Sequence, residues 1–121
     1  MNTYEQQKNK VLEDGGYTVL PHKIFQELLP KLLENYKGRD VRDALTLFLY
    51  LHAHVNNETK WAFPNFNALV KDTGIHRSRI SDLIKLLEKE GLIETEKITY
   101  NGREKRRYRP YFYPTNVNST E

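Results

Sequence analysis

The stretch DTGIHRSRISDLIKLLEKEGLIE, residues 72–94, decides the fold. Gly74 opens a turn into a helix that the spacing predicts from Arg77 to Glu90. Ile80, Leu83, Ile84 and Leu87 lie on one face, and Gly91 is the stop. Acidic residues usually occupy a first helical turn, yet this one carries His76, Arg77, Ser78 and Arg79. Cations there oppose the positive end of the helix dipole at a cost of ~0.3–1 kcal/mol unless something negative offsets them. The outer face is Ser78, Ser81, Asp82 and Lys85, flanked by Arg77 and Arg79. Free amide N–H groups at a helix start suit phosphate, and Arg suits bidentate contact with guanine or phosphate. The pattern fits a helix entering a DNA major groove. Taken alone, the same residues would also serve as an ordinary solvated surface.

The flanking sequence shifts that balance. Upstream, Asn65 is a helix cap for a two-turn helix over 66–72 that should bury Phe66, Leu69 and Val70, followed by the turn Thr73-Gly74-Ile75. Downstream, LIETEKITY (92–100) reads as a strand, Asn101-Gly102 as a tight turn and REKRRYRPYFY (103–113) as the returning strand. On that strand Lys105, Arg107 and Arg109 share one face, while Arg106 and Tyr108 share the other. One cationic face is expected to follow a phosphate backbone, although charged residues also guard edge strands against aggregation. Two short helices joined by a glycine turn and followed by a basic hairpin specify a winged helix-turn-helix. The fold class is mostly α with a small β hairpin (α+β), with a recognition helix at about 76–90 and a wing at about 100–109.

The rest of the chain builds the support. Residues 24–36 have helical spacing interrupted by Pro30, which predicts a kink or two short helices. Residues 39–55 are apolar on nearly all faces (Val41, Ala44, Leu45, Phe48, Leu49, Leu51, His52) and should form the central helix. Residues 60–63 before Pro64 read as a brief edge strand. The expected domain spans 17–113 between flexible tails at 1–16 and 114–121. Surplus apolar surface on 17–36 (Phe25, Leu28, Leu29, Leu32, Leu33) is a candidate homodimer face.

Composition limits the alternatives. The chain has 121 residues, 38% of them hydrophobic, with no cysteine and a net charge of +3. It carries no apolar run of membrane-spanning length and no signal-peptide pattern, so a cytoplasmic protein is expected. Residues 1–74 balance nine basic against nine acidic residues, whereas 75–121 carry ten against seven. NGREKRRYR (101–109) alone holds five basic residues and one acid. The charge is local, as on a domain with one basic feature. His52 and His54 are two apart, the wrong spacing to share a helix face as ligands. No phosphate loop, nucleophile elbow or carboxylate pair appears. No catalytic residue, cofactor or metal is therefore expected. Aromatics interleaved with cations in RRYRPYFY (106–113) are expected chiefly to hold the wing on the helices, with stacking of unpaired bases the other use.

The segment WAFPNFNALVKDTGIHRSRISDLIKLLEKEGLIE (61–94) resembles the winged-helix domains of bacterial plasmid and phage replication initiators. Ala62-Phe63-Pro64, Leu69, Thr73-Gly74-Ile75 and the ending from Leu87 to Ile93 carry the likeness, and YTVLPHKIF resembles the way such domains begin. The likeness extends over about 17–113. It implies sequence-specific binding of double-stranded DNA, with Arg77, Ser78, Arg79, Ser81, Asp82 and Lys85 facing the duplex and the wing at Asn101 to Arg107. His76, Arg103, Lys105, Arg106 and Arg107 complete the expected DNA-binding set. Base choice is expected from Arg77, Ser78, Arg79, Ser81 and Lys85, and phosphate affinity from the wing. The implied role is replication initiation, with replication proteins as further partners. A transcriptional regulator, a partition adaptor or a protein-interaction module of a replisome is the alternative. Initiators of this type usually continue into a further domain, so the chain is expected to be an excised N-terminal domain or a small stand-alone protein.

Overall fold

Pro30 shapes the first element of the domain. A proline lacks the N–H an α-helix needs, and its ring crowds the carbonyl four residues back. In the computed structural model, which describes residues 2–114, the chain answers with a π-helical turn over Ile24–Leu28, where the Leu29 N–H bonds the Ile24 carbonyl. The widened turn then passes into α2 (Leu29–Asn35), with Pro30 at its start. Ahead of it, the stretch read as a polar tail contains a helix, α1 (Thr3–Asp14), which buries none of its residues. Asn2 caps it by accepting a hydrogen bond from the Glu5 N–H at 2.9 Å. The tail expected from 114 onwards lies, beyond Pro114, outside the described residues.

α3 (Gly38–Ala53) is the central helix and buries Val41, Ala44, Leu45, Leu47, Phe48, Leu51 and His52. Leu49 was expected in that core and instead lies 38% exposed, because it sits on the helix face that no other element covers. α4 (Phe66–Thr73) follows, capped by Asn65, which accepts from the Ala68 N–H at 2.7 Å. It fully buries Leu69 alone; Phe66 is 37% exposed and Val70 only partly covered, since a two-turn helix turns one narrow stripe inward. Gly74, with φ at 73°, makes the turn into α5 (Arg77–Lys89). The inward face of α5 is as the spacing predicts, with Ile80, Leu83, Ile84 and Leu87 buried and Leu86 added.

The wing is an antiparallel pair, β1 (Ile93–Tyr100) and β2 (Arg103–Pro110), in register from Ile93↔Pro110 to Tyr100↔Arg103. Asn101 and Gly102 close it with φ of 52° and 76°, the left-handed backbone a two-residue hairpin turn requires. The edge strand expected at 60–63 is reduced to one residue. Ala62 bridges Val55 on one side and Tyr108 on the other, and Pro64 then carries the chain away. α3 lies against α2, α4, α5 and β2, so all three helices of the helix-turn-helix and the wing rest on one core. The architecture is a mostly helical α+β winged helix-turn-helix. No helix among the described residues is long and apolar enough to cross a membrane.

Candidate nucleic-acid interface

Three polar ties fix α4 and α5 against their neighbours. The Tyr36 hydroxyl at the end of α2 donates to Glu90 Oε2 at 2.7 Å, and that bond, with burial, pushes the phenol pKa up to about 12. The Tyr50 hydroxyl on α3 donates to Asp72 Oδ2 at 2.7 Å, anchoring the end of α4; burial and the carboxylate again raise it to about 12. The third tie is Arg79. Its guanidinium donates to Asp43 Oδ2 and, at 2.7 Å, to Asp40 Oδ1, both on α3. Asp43 and then Asp40 push its pKa further up.

Arg79, expected to read a base, is paired within the fold. Two carboxylates neutralise it within the fold, and it joins α5 to α3 rather than projecting from the recognition face. Arg77 is partly committed as well: its guanidinium lies 4.7 Å over the Phe66 ring and donates to Asn67 Oδ1. It stays exposed and spans the starts of α4 and α5. His76 is the helix cap, its Nδ1 accepting from the Ser78 N–H at 3.1 Å and lying 2.8 Å from Ser78 Oγ. An amide N–H only donates, so Nδ1 is the acceptor nitrogen and the ring proton sits on Nε2. Ser78 is exposed but bonded to that cap.

Ser81, Asp82 and Lys85 on α5 are exposed, and their side chains make no hydrogen bond or ion pair among the described residues. These are the expected groove-facing positions beyond the first turn. Beside them runs a cleft of about 420 Å³ lined by Tyr36, Arg39, Asp40, Arg79, Lys85 and Lys89, among others. Arg39 was not singled out from the sequence; its exposure and its place on this cleft come only from the fold.

The wing divides into two halves. At its base, Arg107 pairs with Glu96, Arg109 lies 3.4 Å from Glu94, and both guanidiniums sit 4.1 Å from the buried Trp61 ring. Arg107, also expected on DNA, is held here by a facing carboxylate and an indole. The cross-strand register pairs Glu96 with Arg107 and Glu94 with Arg109, a match that the Asn101-Gly102 turn already implies. At the tip, Asn101 and Arg103 are exposed, and Lys105 lies 5.4 Å from the Tyr100 ring. Arg103 and Arg106 make no hydrogen bond or ion pair among the described residues. Phe66 joins the two regions, since it touches Arg77 and also lines a cleft shared with Tyr100, Lys105 and Arg106. The start of α5, the start of α4 and the wing tip therefore form one continuous surface. Among the described residues, no three His, Cys, Asp or Glu side chains gather as metal ligands.

Residues 42–93 match a family model described as a helix-turn-helix domain. The matched segment runs from the first turns of α3 to the first residue of β1, so it holds the three helices of the motif and leaves the wing outside. No curated protein matches the chain.

Proposed function

We propose that this chain binds double-stranded DNA through the exposed face of α5 and the tip of the wing, and that it binds rather than catalyses. The observation that carries the reading is the partition of its polar and charged side chains. Ser81, Asp82 and Lys85 on the helix and Arg103 and Arg106 on the wing are left without internal partners on one side of a helix-turn-helix. Ser78, Ser81, Asp82 and Lys85, with Arg77 at the helix start, are the base-reading set. Arg103, Lys105 and Arg106 hold phosphates. Arg79 and Arg107 act one step removed, fixing the angle of the helix and the base of the wing.

The resemblance of residues 17–113 to plasmid and phage initiator domains supports replication initiation at repeated origin sites, in the cytoplasm, with replication proteins nearby. Phe25 and Leu33, 51% and 48% exposed on the π-helical turn and α2, support a homodimer through 17–36. Such a dimer would present two α5 helices to half-sites about one DNA turn (~34 Å) apart. The test is fluorescence anisotropy of a labelled duplex at several salt concentrations. Affinity falling log-linearly with salt supports the reading, and absence of binding at low salt overturns it. Sedimentation of the complex gives its stoichiometry and decides the dimer.

A further inference from the structure

The edge of β2 facing away from β1 is open beside an apolar cleft. Tyr108 exchanges both backbone hydrogen bonds with Ala62, at 2.9 and 2.7 Å, so its N–H and C=O point away from β1. Backbone direction alternates along an antiparallel strand, so the N–H and C=O groups of Arg106 and Glu104 point outward on the same side. The neighbouring chain has already left at Pro64, and no strand among the described residues covers them. Alongside lies a cleft of about 560 Å³ walled by Phe63, Phe66, Leu69, Ile98, Tyr100 and Tyr108. Phe63 is 48% and Tyr100 60% exposed. Lys105 and Arg106 stand at its rim, and the one acid there, Glu104, faces Lys97 at 3.8 Å.

We propose that this edge accepts a third strand from a protein partner, an extended peptide in which bulky apolar residues alternate with acidic ones. The apolar side chains fill the aromatic cleft on the Tyr108 side, and the intervening carboxylates, on the opposite face, meet Arg103 and Lys105. A peptide backbone answers both the outward N–H and the outward C=O groups. A phosphodiester has no donors and would leave those carbonyls unmet, and it gains nothing from the apolar walls. The inference goes beyond the DNA reading and is tested apart from it.

The probe is a random heptapeptide library displayed on phage and selected against the full chain, with enriched peptides then synthesised and titrated. The expected sequences alternate acidic and bulky apolar residues, and their binding slows amide exchange at Glu104 and Arg106. Glu104→Pro removes one outward N–H while leaving the β1 ladder and every cation in place, so it should weaken the peptides about tenfold or more with duplex affinity unchanged. Phe63→Ala, which removes one cleft wall and no backbone group, should weaken them too and serves if the proline variant does not fold. The proposal is overturned if nothing is enriched, if the enriched peptides bind both variants as well as the parent, or if duplex or oligo-dT, and not the peptides, protects those two amides.

Discussion

The base and the tip of the wing carry the same kind of residue in opposite states. Arg107 and Arg109 at the base are stacked on Trp61 and faced by Glu96 and Glu94, while Arg103 and Arg106 toward the tip are unpaired. The recognition helix repeats the contrast, with Arg79 bound by Asp40 and Asp43 and Lys85 left open. A cation's type and its place on a basic stretch do not decide whether it meets a ligand. What decides is whether the fold sets a carboxylate opposite it. Bound cations should therefore affect stability when removed, and open ones should affect binding.

The largest expected effect lies beneath the bound pair. Trp61→Ala removes a buried indole and the platform of two guanidiniums, and should cost ~3–5 kcal/mol of stability as a core deletion. Chemical denaturation measures it, and an unchanged midpoint would show that the base of the wing is not held as described. Next is Lys85→Ala, expected to weaken a preferred duplex by ~1–3 kcal/mol if the side chain reads a base, with the melting temperature unchanged. Arg106→Ala should weaken all duplexes alike and lower the salt slope by about 1.

Arg79→Ala and Arg107→Ala sharpen the comparison from the other side. Both should lower the melting temperature. Arg107→Ala should leave the salt slope near that of the parent, because its charge is already answered by Glu96. A slope that falls as much as in Arg106→Ala would mean that Arg107 leaves its carboxylate for phosphate on binding. Equal loss of affinity in Arg79→Ala and Lys85→Ala at a temperature where both are folded would return Arg79 to the base-reading set.

Most of the fold was legible because it rests on local signals. Periodicity gave α3 and the inward face of α5, Asn65 gave the start of α4, and Asn101-Gly102 gave the hairpin. The internal partners of the candidate site residues were only partly legible. Arg79 was read by its place on the helical wheel, but its partners lie 36 and 39 residues earlier on α3, and no local pattern connects them. Arg107 is different. The hairpin register that the turn implies already places Glu96 opposite it, so counting cations without pairing them across the strands hid an available answer. Phe66 and Val70 were expected in the core because they are apolar, yet Phe66 lies against Arg77 and the wing cleft and Val70 only partly reaches the core. Helix α1 has local capping but no buried face, so its polar composition read as tail.

The smallest expected effect concerns a residue away from the DNA face. His52 is buried on α3, edge-on to Phe48 at 4.6 Å and 5.2 Å from the Phe112 ring, and its Nε2–H donates to the Tyr111 carbonyl at 3.1 Å. The contact fastens the chain beyond β2 to the central helix. Burial pulls the imidazole pKa below its ordinary value, and the Tyr111 carbonyl only partly opposes that. A base with a lowered folded-state pKa binds more protons when unfolded, so stability should rise with pH across the range just below about 6.5. Lowering the pH through that range therefore loosens the tie between β2 and α3, and with it the base of the wing, while the tip keeps its charges. His52→Gln keeps a donor for the carbonyl without a titrating ring. Denaturation midpoints measured at pH 5 and 7 should converge in that variant relative to the parent, because the titrating ring is gone. An equal pH dependence in both proteins would place the acid sensitivity elsewhere in the chain.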